Sequence, residues 1–480
     1  MTTPATRWRG MPLAAIVAAA AAFRLVHLGY SHFQGDEIKA QYPDGAGFPD
    51  FLFAQRKGPG QFLVTALVRA VTGGYDEVMT RLPFAMASIT AVLVMFLLVR
   101  REWGRGAALT AAALMASCGL IVAFGRIVQY QSFTMLLVLV SAWGAFGFAR
   151  RGDVRELHLT GVAFAVGVLF HYDVLTFGPT ALGLVAYGFW THRRVVPNLG
   201  WHCLAAAGLA AVITASFYVP YALQPWFQEV SGYLKNRVVA GRGLGTFGRT
   251  AELLSLYLPP FYLLITGVLA MWGAVRLAVR RDAAGVAVLF WFASVFTFYM
   301  LLGGDPRSHV YNIFLPGLIL AGIGVAHLAS VGYLVVRRLA LGTLGIAYAG
   351  SLLFTWQMFI DHDPEHPWYQ KQVAGVVLPN LVTRQVEGVF GFPYDRGLGE
   401  VGRLFERGEL DGTFNSNERD VMADFYFRSA RGEPARYYIY VHQALSLDRG
   451  LPAEVEAEYR LLRGIDLGGR RTIDIYERVP

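Results

Sequence analysis

The chain is poor in charge, poor in cysteine and lacks a nucleotide-binding loop in the right surroundings. Charged residues make up 16% of its 480 residues, whereas soluble proteins carry about 25%, so most of the chain is not a soluble globular domain. The two cysteines, Cys118 and Cys203, lie in or at the edge of apolar stretches, which leaves no disulfide framework and no zinc site. Gly241-Arg242-Gly243-Leu244-Gly245 through Gly248 has the glycine density of a phosphate loop but no preceding strand of a βαβ unit. It reads as an external loop, with Lys235, Arg237 and Arg242 able to reach a headgroup. The net charge of +8 comes with no basic–aromatic module, so no nucleic-acid partner is expected. No internal repeat is visible.

What the chain has is apolar length. Hydrophobic residues reach 55% and are gathered in blocks, the pattern of a polytopic α-helical membrane protein. By length there are about eleven spans: Met11–Tyr30, Leu82–Leu98, Ala107–Phe124, Phe133–Phe148, Leu157–Phe170, Val174–Trp190, Leu204–Leu223, Leu253–Val275, Val286–Leu302, Ile313–Leu328 and Leu341–Phe359. Arginines orient them. Arg7 and Arg9 precede the first span, and Arg100-Arg101-Arg105, Arg150-Arg151-Arg155, Arg193-Arg194, Arg276-Arg280-Arg281 and Arg337-Arg338 fall in every second loop. By the positive-inside rule those loops and the N-terminus are cytoplasmic, and anionic lipid headgroups are their nearest partner. The N-terminal segment has the look of a signal peptide, but the parity of the later loops requires it to remain as a span.

The expected fold is an all-α polytopic membrane domain over 1–360 and an extracytoplasmic α/β domain over 361–480. The first external loop, 31–80, is too long to be plain linker, and its Gln61–Val71 run reads as an interfacial helix. In the C-terminal part, Asn415-Ser416-Asn417-Glu418 has the spacing of a capping box opening a helix through Asp424 and Phe427. Tyr437–His442 and Arg471–Val479 read as strands.

Chemistry-bearing residues gather on the external side. Gly35-Asp36-Glu37 sets two carboxylates just past the first span. As ordinary loop charges they would be solvated and idle; at a membrane face, one could serve as general base to a hydroxyl or both could hold a divalent cation, the one cofactor the carboxylates suggest. Arg126, Gln129 and Gln131 lie between the third and fourth spans, where polarity near membrane depth marks function. Arginine suits phosphate and glutamine suits sugar hydroxyls; snorkelling and helix capping are the bland alternative. His171-Tyr172-Asp173 forms a third polar cluster. In Gly304-Asp305-Pro306-Arg307-Ser308-His309-Val310-Tyr311, an extended backbone would turn Arg307, His309 and Tyr311 to one side as a phosphate clamp; a structural turn competes. Asp361-His362-Asp363 with Glu365-His366 meets no tetrahedral spacing rule for a metal.

The ordered set of short motifs resembles the GT-C superfamily of polyprenyl-phosphate-sugar-dependent glycosyltransferases, in the branch of protein O-mannosyltransferases and the lipid A aminoarabinose transferase (glycosyltransferase family 39 type). It comprises Gly35-Asp36-Glu37, Lys57-Gly58-Pro59 before a short amphipathic helix, Arg81-Leu82-Pro83 opening the second span, the Arg126 loop, the Arg307–Tyr311 segment and the external C-terminal domain. The resemblance implies that Asp36 is the catalytic acid/base residue and that Lys57 and Arg307 meet the donor phosphate. It departs where relatives often carry an acidic residue after the third span and this chain has Gln131; Glu37 or Asp173 would have to substitute. The implied activity is inverting transfer of a sugar from a polyprenyl-monophosphate donor to a glycan, lipid or protein hydroxyl at the outer face of a bacterial inner or plasma membrane. A lipid-linked-sugar transporter and a non-catalytic scaffold are the alternatives. The transporter would need an inverted repeat or paired broken helices, and neither is evident.

Overall fold

The computed structural model describes residues 4–43, 45, 47–225, 227–232, 245–302, 307–363, 365, 372–373, 375–377, 389–446 and 450–479. Among these, eight helices are long and apolar enough to cross a membrane: Glu77–Trp103, Gln131–Arg151, Tyr172–His192, Leu199–Ala222, Pro260–Arg280, Ala283–Leu302, Arg307–Leu328 and Leu334–Phe359. The other three apolar stretches are helical as well. The first is the 22-residue helix Pro4–Leu25, whose apolar part among the described side chains is Met11–Leu25. The third breaks into Arg105–Ser117 and Gly119–Phe124, and the fifth, Val154–Phe170, has 17 residues. Among the described residues, the expected spans, about eleven, correspond to eight long apolar helices, the helix Pro4–Leu25 and two stretches that are shorter or broken. The break has a packing cause. Cys118 is extended (φ −66°, ψ 108°), and a Cβ on Gly119 would stand 1.9 Å from the Tyr257 carbonyl oxygen, so another backbone occupies the place where a straight helix would run.

Local chemistry sets the helix ends. Asp76 and Asp282 accept hydrogen bonds from the Met79 and Gly285 amides at 2.9 and 2.7 Å, satisfying free N-terminal donors. Arg100, Arg101, Arg150, Arg151 and Arg280 occupy last turns, where cations complement the helix dipole. Packing then separates inner from outer helices. In Gln131–Arg151, 72% of the apolar window is buried against the chain, but only 11% of Leu199–Ala222 and 17% of Leu334–Phe359. Apolar faces bare on that scale need lipid. The protein is a multi-pass membrane protein.

The first long loop is structured, with short helices Gly35–Ile38 and Phe48–Phe53 and an amphipathic helix Gly60–Thr72. In the last, Phe62 and Thr65 turn inward while Leu63, Leu67 and Val71 form an exposed apolar row at i, i+4, i+8.

Beyond the last long helix, a four-stranded sheet runs in the order Phe414–Ser416, Tyr437–Val441, Arg470–Arg478, Tyr459–Leu467; the first pair is parallel and the others antiparallel. The two expected strands are present. The expected capping box is not: Phe414–Ser416 is a strand, and the helix begins at Asp420 and ends at Phe427. The polar side chains serve the sheet instead. Ser416 Oγ donates to the Ile439 carbonyl at 2.7 Å, and the Asn417 amide bonds the Val441 backbone in both directions at 2.7 and 3.0 Å.

This C-terminal α/β part shares a core with the first loop. Phe33, Ala40, Phe62, Phe84 and Val128 pack in one cluster with Leu398, Met422, Phe427, Ile439 and Ile475. The Phe33 amide donates to the Tyr426 hydroxyl at 2.6 Å, which donates to Glu77 at 2.9 Å. The segment carrying Asp36 is thus clamped between the helix bundle and the sheet domain.

Candidate active site

The two adjacent carboxylates face different surroundings. Glu37 is fully buried. Its oxygens accept from Arg81 Nε and Nη2 at 2.8 and 2.9 Å, from the Val128 amide at 2.9 Å and from the Gln34 amide at 2.9 Å. Arg81 also donates to the carbonyls of Leu28, Ser31 and His32 at 3.1, 2.8 and 3.0 Å. One ion pair therefore ties the end of the first helix, the Asp36 turn and the second span together, and Glu37 is a positioning residue. Neighbours in a helical turn point about 100° apart, so Asp36 looks elsewhere. It is half-buried, Gln129 Nε2 donates to its Oδ2 at 3.0 Å, and among the described residues Oδ1 has no hydrogen bond. Arg81 and two backbone amides thus occupy the Glu37 oxygens.

Lys57 is brought in by the glycine after it. A Cβ on Gly58 would stand 2.1 Å from the Leu169 carbonyl oxygen, so only glycine lets this segment lie on the end of Val154–Phe170. Lys57 Nζ then sits 4.8 Å from the Tyr130 ring centroid and 5.7 Å from that of Phe62. Burial pushes its ammonium down to about 8, with Asp36 pulling it up and Lys39 pushing it further down. At neutral pH it is still mainly charged.

On the Tyr130 ring stacks His171, with centroids 3.8 Å apart and planes 5° from parallel. Burial lowers the His171 imidazole to about 4, so it is neutral. Asp173 follows as a buried hub: it accepts from Tyr299 at 3.0 Å and Tyr311 at 2.9 Å, and lies 2.8 Å from His309 Nδ1. Its backbone amide donates to His171 Nδ1 at 3.1 Å. Beside these groups opens a cavity of about 1000 Å3, lined by Arg56, Lys57, Tyr172, Asp173 and His309 and by apolar side chains such as Val168, Tyr218, Phe290 and Phe298. A charged, hydrogen-bonding patch against an oily chamber suits a ligand with a polar head and a lipid tail.

Three expected site residues do other work or stand apart. Arg126 donates to the carbonyls of Phe23, Val26 and His27 at 3.0, 2.9 and 3.1 Å, closing the C-terminus of the first helix, the capping alternative. Gln131 is buried, and among the described residues neither of its amide atoms has a hydrogen-bond partner. Arg307 does not line the cavity; it opens a 3-10 turn, Arg307–Val310, with φ +40°. The expected extended clamp is therefore a turn running into the helix Tyr311–Leu328, and His309 and Tyr311 still converge because both reach Asp173. Residues 304–306 lie outside the described residues, as do Lys235, Arg237, Arg242 and His366. The nearby acidic tract is already engaged: Glu365 pairs with Tyr30 and Arg396, and Asp363 with Arg470. Among the described residues, the group whose ligand-type atoms all lie within 4.8 Å is His171, Asp173 and His309; one Asp173 oxygen is hydrogen-bonded to His309 Nδ1, and the other lies 3.2 Å from His171 Nδ1. Tyr299 and Asn312, which support the hub, carry no sequence signal; both sit in or beside apolar runs.

Residues 56–218, which hold Lys57, Gln129, Tyr130 and Asp173, match the family model described as dolichyl-phosphate-mannose-protein mannosyltransferase. The whole architecture superposes on ArnT from Cupriavidus metallidurans, solved bound to undecaprenyl phosphate, with a TM-score of 0.59 over 98% of each chain at 13% identity. The fold is that of the GT-C glycosyltransferases. A second GT-C structure, the archaeal oligosaccharyltransferase AglB from Archaeoglobus fulgidus with an inhibitory peptide and a dolichol-phosphate, aligns at a TM-score of 0.51 and 11% identity, over 92% of this chain and 70% of that one. Over 94 residues the chain is 32% identical to YkcB of Bacillus subtilis (strain 168), a candidate mannosyltransferase; the match covers 20% of this chain and 13% of YkcB.

Proposed function

We propose that the protein transfers a sugar from a polyprenyl-monophosphate donor to an acceptor hydroxyl at the extracytoplasmic face, with inversion at the anomeric carbon. The observation that carries this reading is the half-buried Asp36, with one oxygen free of described partners, near the half-buried cation Lys57, which lines a lipid-sized cavity. Asp36 takes the acceptor proton, and the acceptor oxygen attacks C1 in a single displacement. Lys57 stabilises charge on the departing phosphate, acting in a site largely screened from water where such contacts count most. The cavity takes the isoprenoid tail, consistent with the lipid phosphates in the ArnT and AglB structures. The acceptor is a glycan, lipid or protein.

Helix length and arginine placement support this sidedness. Glu77–Trp103 begins beside the Asp36 loop and ends in Arg100 and Arg101, 27 residues in all, or about 40 Å away at 1.5 Å per residue. Arg101, Arg150 and Arg151 cluster there with Glu102 and Glu156. An arginine-rich end is the cytoplasmic one, which supports an external active site in an inner or plasma membrane. The test supplies purified protein in detergent with radiolabelled polyprenyl-phosphate hexose and an envelope acceptor fraction, beside a nucleotide hexose. Transfer from the lipid donor alone, giving a product of opposite anomeric configuration, is expected; transfer from the nucleotide sugar alone would refute the reading.

A further inference from the structure

The proposed chemistry leaves one cluster on the cavity wall without a task. His309 and Asp173 are 136 residues apart in sequence, yet with His171 their ligand-type atoms all lie within 4.8 Å of one another. Asp173 Oδ2 stands 2.8 Å from His309 Nδ1, and Oδ1 stands 3.2 Å from His171 Nδ1. Two imidazoles and a carboxylate, with no cysteine needed, are the three protein ligands of an open zinc site. Zinc bonds of about 2.0–2.1 Å at tetrahedral angles set neighbouring ligand atoms about 3.3 Å apart. The observed separations are close to that, so small movements would close these atoms on one ion. His171 Nδ1 accepts the Asp173 amide at 3.1 Å and so presents a lone pair, as a metal ligand must.

A metal site also needs its ligands held from outside. Tyr299 and Tyr311 donate to the two Asp173 oxygens at 3.0 and 2.9 Å. Asn312 donates to the Tyr299 oxygen at 3.2 Å and to the His309 carbonyl at 3.1 Å. The Tyr130 ring, stacked 3.8 Å from His171, fixes the plane of that imidazole. All three ligand side chains are buried, while Asp173 and His309 line the cavity of about 1000 Å3, which supplies an entry path and room for a further ligand. The donor set chooses the ion: imidazole favours zinc, whereas magnesium and calcium take oxygen ligands. We propose that His171, Asp173 and His309 form a zinc-binding site, with Nδ1 of both histidines and one Asp173 oxygen as ligands and a fourth position open to the cavity. On binding, the ion replaces the Asp173 amide at His171 and the proton between His309 and Asp173, which passes to water. Lys57 lines the same chamber, so the loaded protein carries two cations there.

The test uses full-length protein in detergent, stripped with chelator and titrated with zinc chloride by calorimetry, with metal content read by mass spectrometry. One zinc per chain is expected in wild type. Tyr299→Phe, which removes a donor to Asp173, should weaken binding about 10- to 100-fold, the cost of losing an outer partner of a ligand. His171→Ala and His309→Ala should weaken it by more than that. His362→Ala, in the external Asp361-His362-Asp363 tract, should leave it unchanged. Should a ligand variant fail to fold, two readouts need wild type alone. Zinc should raise its unfolding midpoint, and cobalt(II) bound in its place should give the intense visible absorption of a tetrahedral site. Equal zinc binding by wild type, His171→Ala and His309→Ala would mean an adventitious ion only and overturn the assignment. So would an unmoved wild-type midpoint, or binding of magnesium but not of zinc. Because binding is measured without a sugar donor, its failure leaves the glycosyl-transfer reading standing. Zinc binding without any sugar transfer overturns that reading and leaves the site.

Discussion

Replacing Glu37 by Gln separates the two neighbouring carboxylates by their physics. Glu37 and Arg81 are both buried, and the pair shares two hydrogen bonds at 2.8 and 2.9 Å. Removing one partner of a buried ion pair costs about 3–5 kcal/mol, because the other charge is stranded. Glutamine keeps one accepting oxygen, and Arg81 keeps three backbone carbonyls, so the low end applies, about 3 kcal/mol. At about 2 °C per kcal/mol for a sizeable cooperative unit, the unfolding midpoint should fall by about 6 °C. Asp36→Asn removes one half-exposed contact to Gln129 and should move the midpoint by less than about 2 °C, within the range of surface substitutions. The assay is thermal unfolding in detergent followed by fluorescence, with transfer measured well below the midpoint. The Glu37→Gln protein should be less stable yet still turn over. A variant as stable as wild type and inert in transfer would make Glu37 a catalytic group and refute this account of the ion pair.

Other outcomes follow from the same geometry. Lys57→Met should raise KM for the lipid donor about 10- to 100-fold, the worth of a charge-assisted contact, with a smaller change in kcat; an unchanged KM would remove Lys57 from the phosphate site. Because the Lys57 ammonium is held at about 8, kcat/KM for the donor should fall as pH rises through about 8, where the free protein loses that positive charge. Lys57→Arg should abolish this alkaline limb in a pH–rate profile. Gly58→Ala, whose Cβ would meet the Leu169 carbonyl at 2.1 Å, should push the Lys57 segment off the neighbouring helix and reproduce the Lys57 defect in donor titrations. Arg126→Gln should lower the unfolding midpoint with KM unchanged, since the side chain caps a helix.

The sequence was most legible where one residue's surroundings are set by its near neighbours. Apolar length marked the helix pattern, and the failures came where distant backbone intrudes, as Tyr257 does at Gly119. The position of Asp36 after the first span was readable. The division of labour with Glu37 was not, because Arg81 lies 44 residues away in sequence and adjacency alone does not say which carboxylate it takes. Asp173 was visible as polarity between two spans, but its partners Tyr299 and Tyr311 lie 126 and 138 residues on and look like ordinary aromatic filler. Asn415-Ser416-Asn417-Glu418 misled for a related reason: polar side chains that cap helices also stitch strand ends, and only Ile439 and Val441 decide between the two.

The central claim is that Asp36 activates the acceptor for transfer from a lipid-phosphate donor. The most direct measurement runs wild type and Asp36→Asn side by side with radiolabelled polyprenyl-phosphate hexose, while binding of undecaprenyl phosphate is titrated on both. The account predicts a loss of about 100-fold or more in kcat for the variant, the scale of a lost general base, with lipid-phosphate binding intact. An Asp36→Asn protein that transfers sugar at the wild-type rate would contradict it.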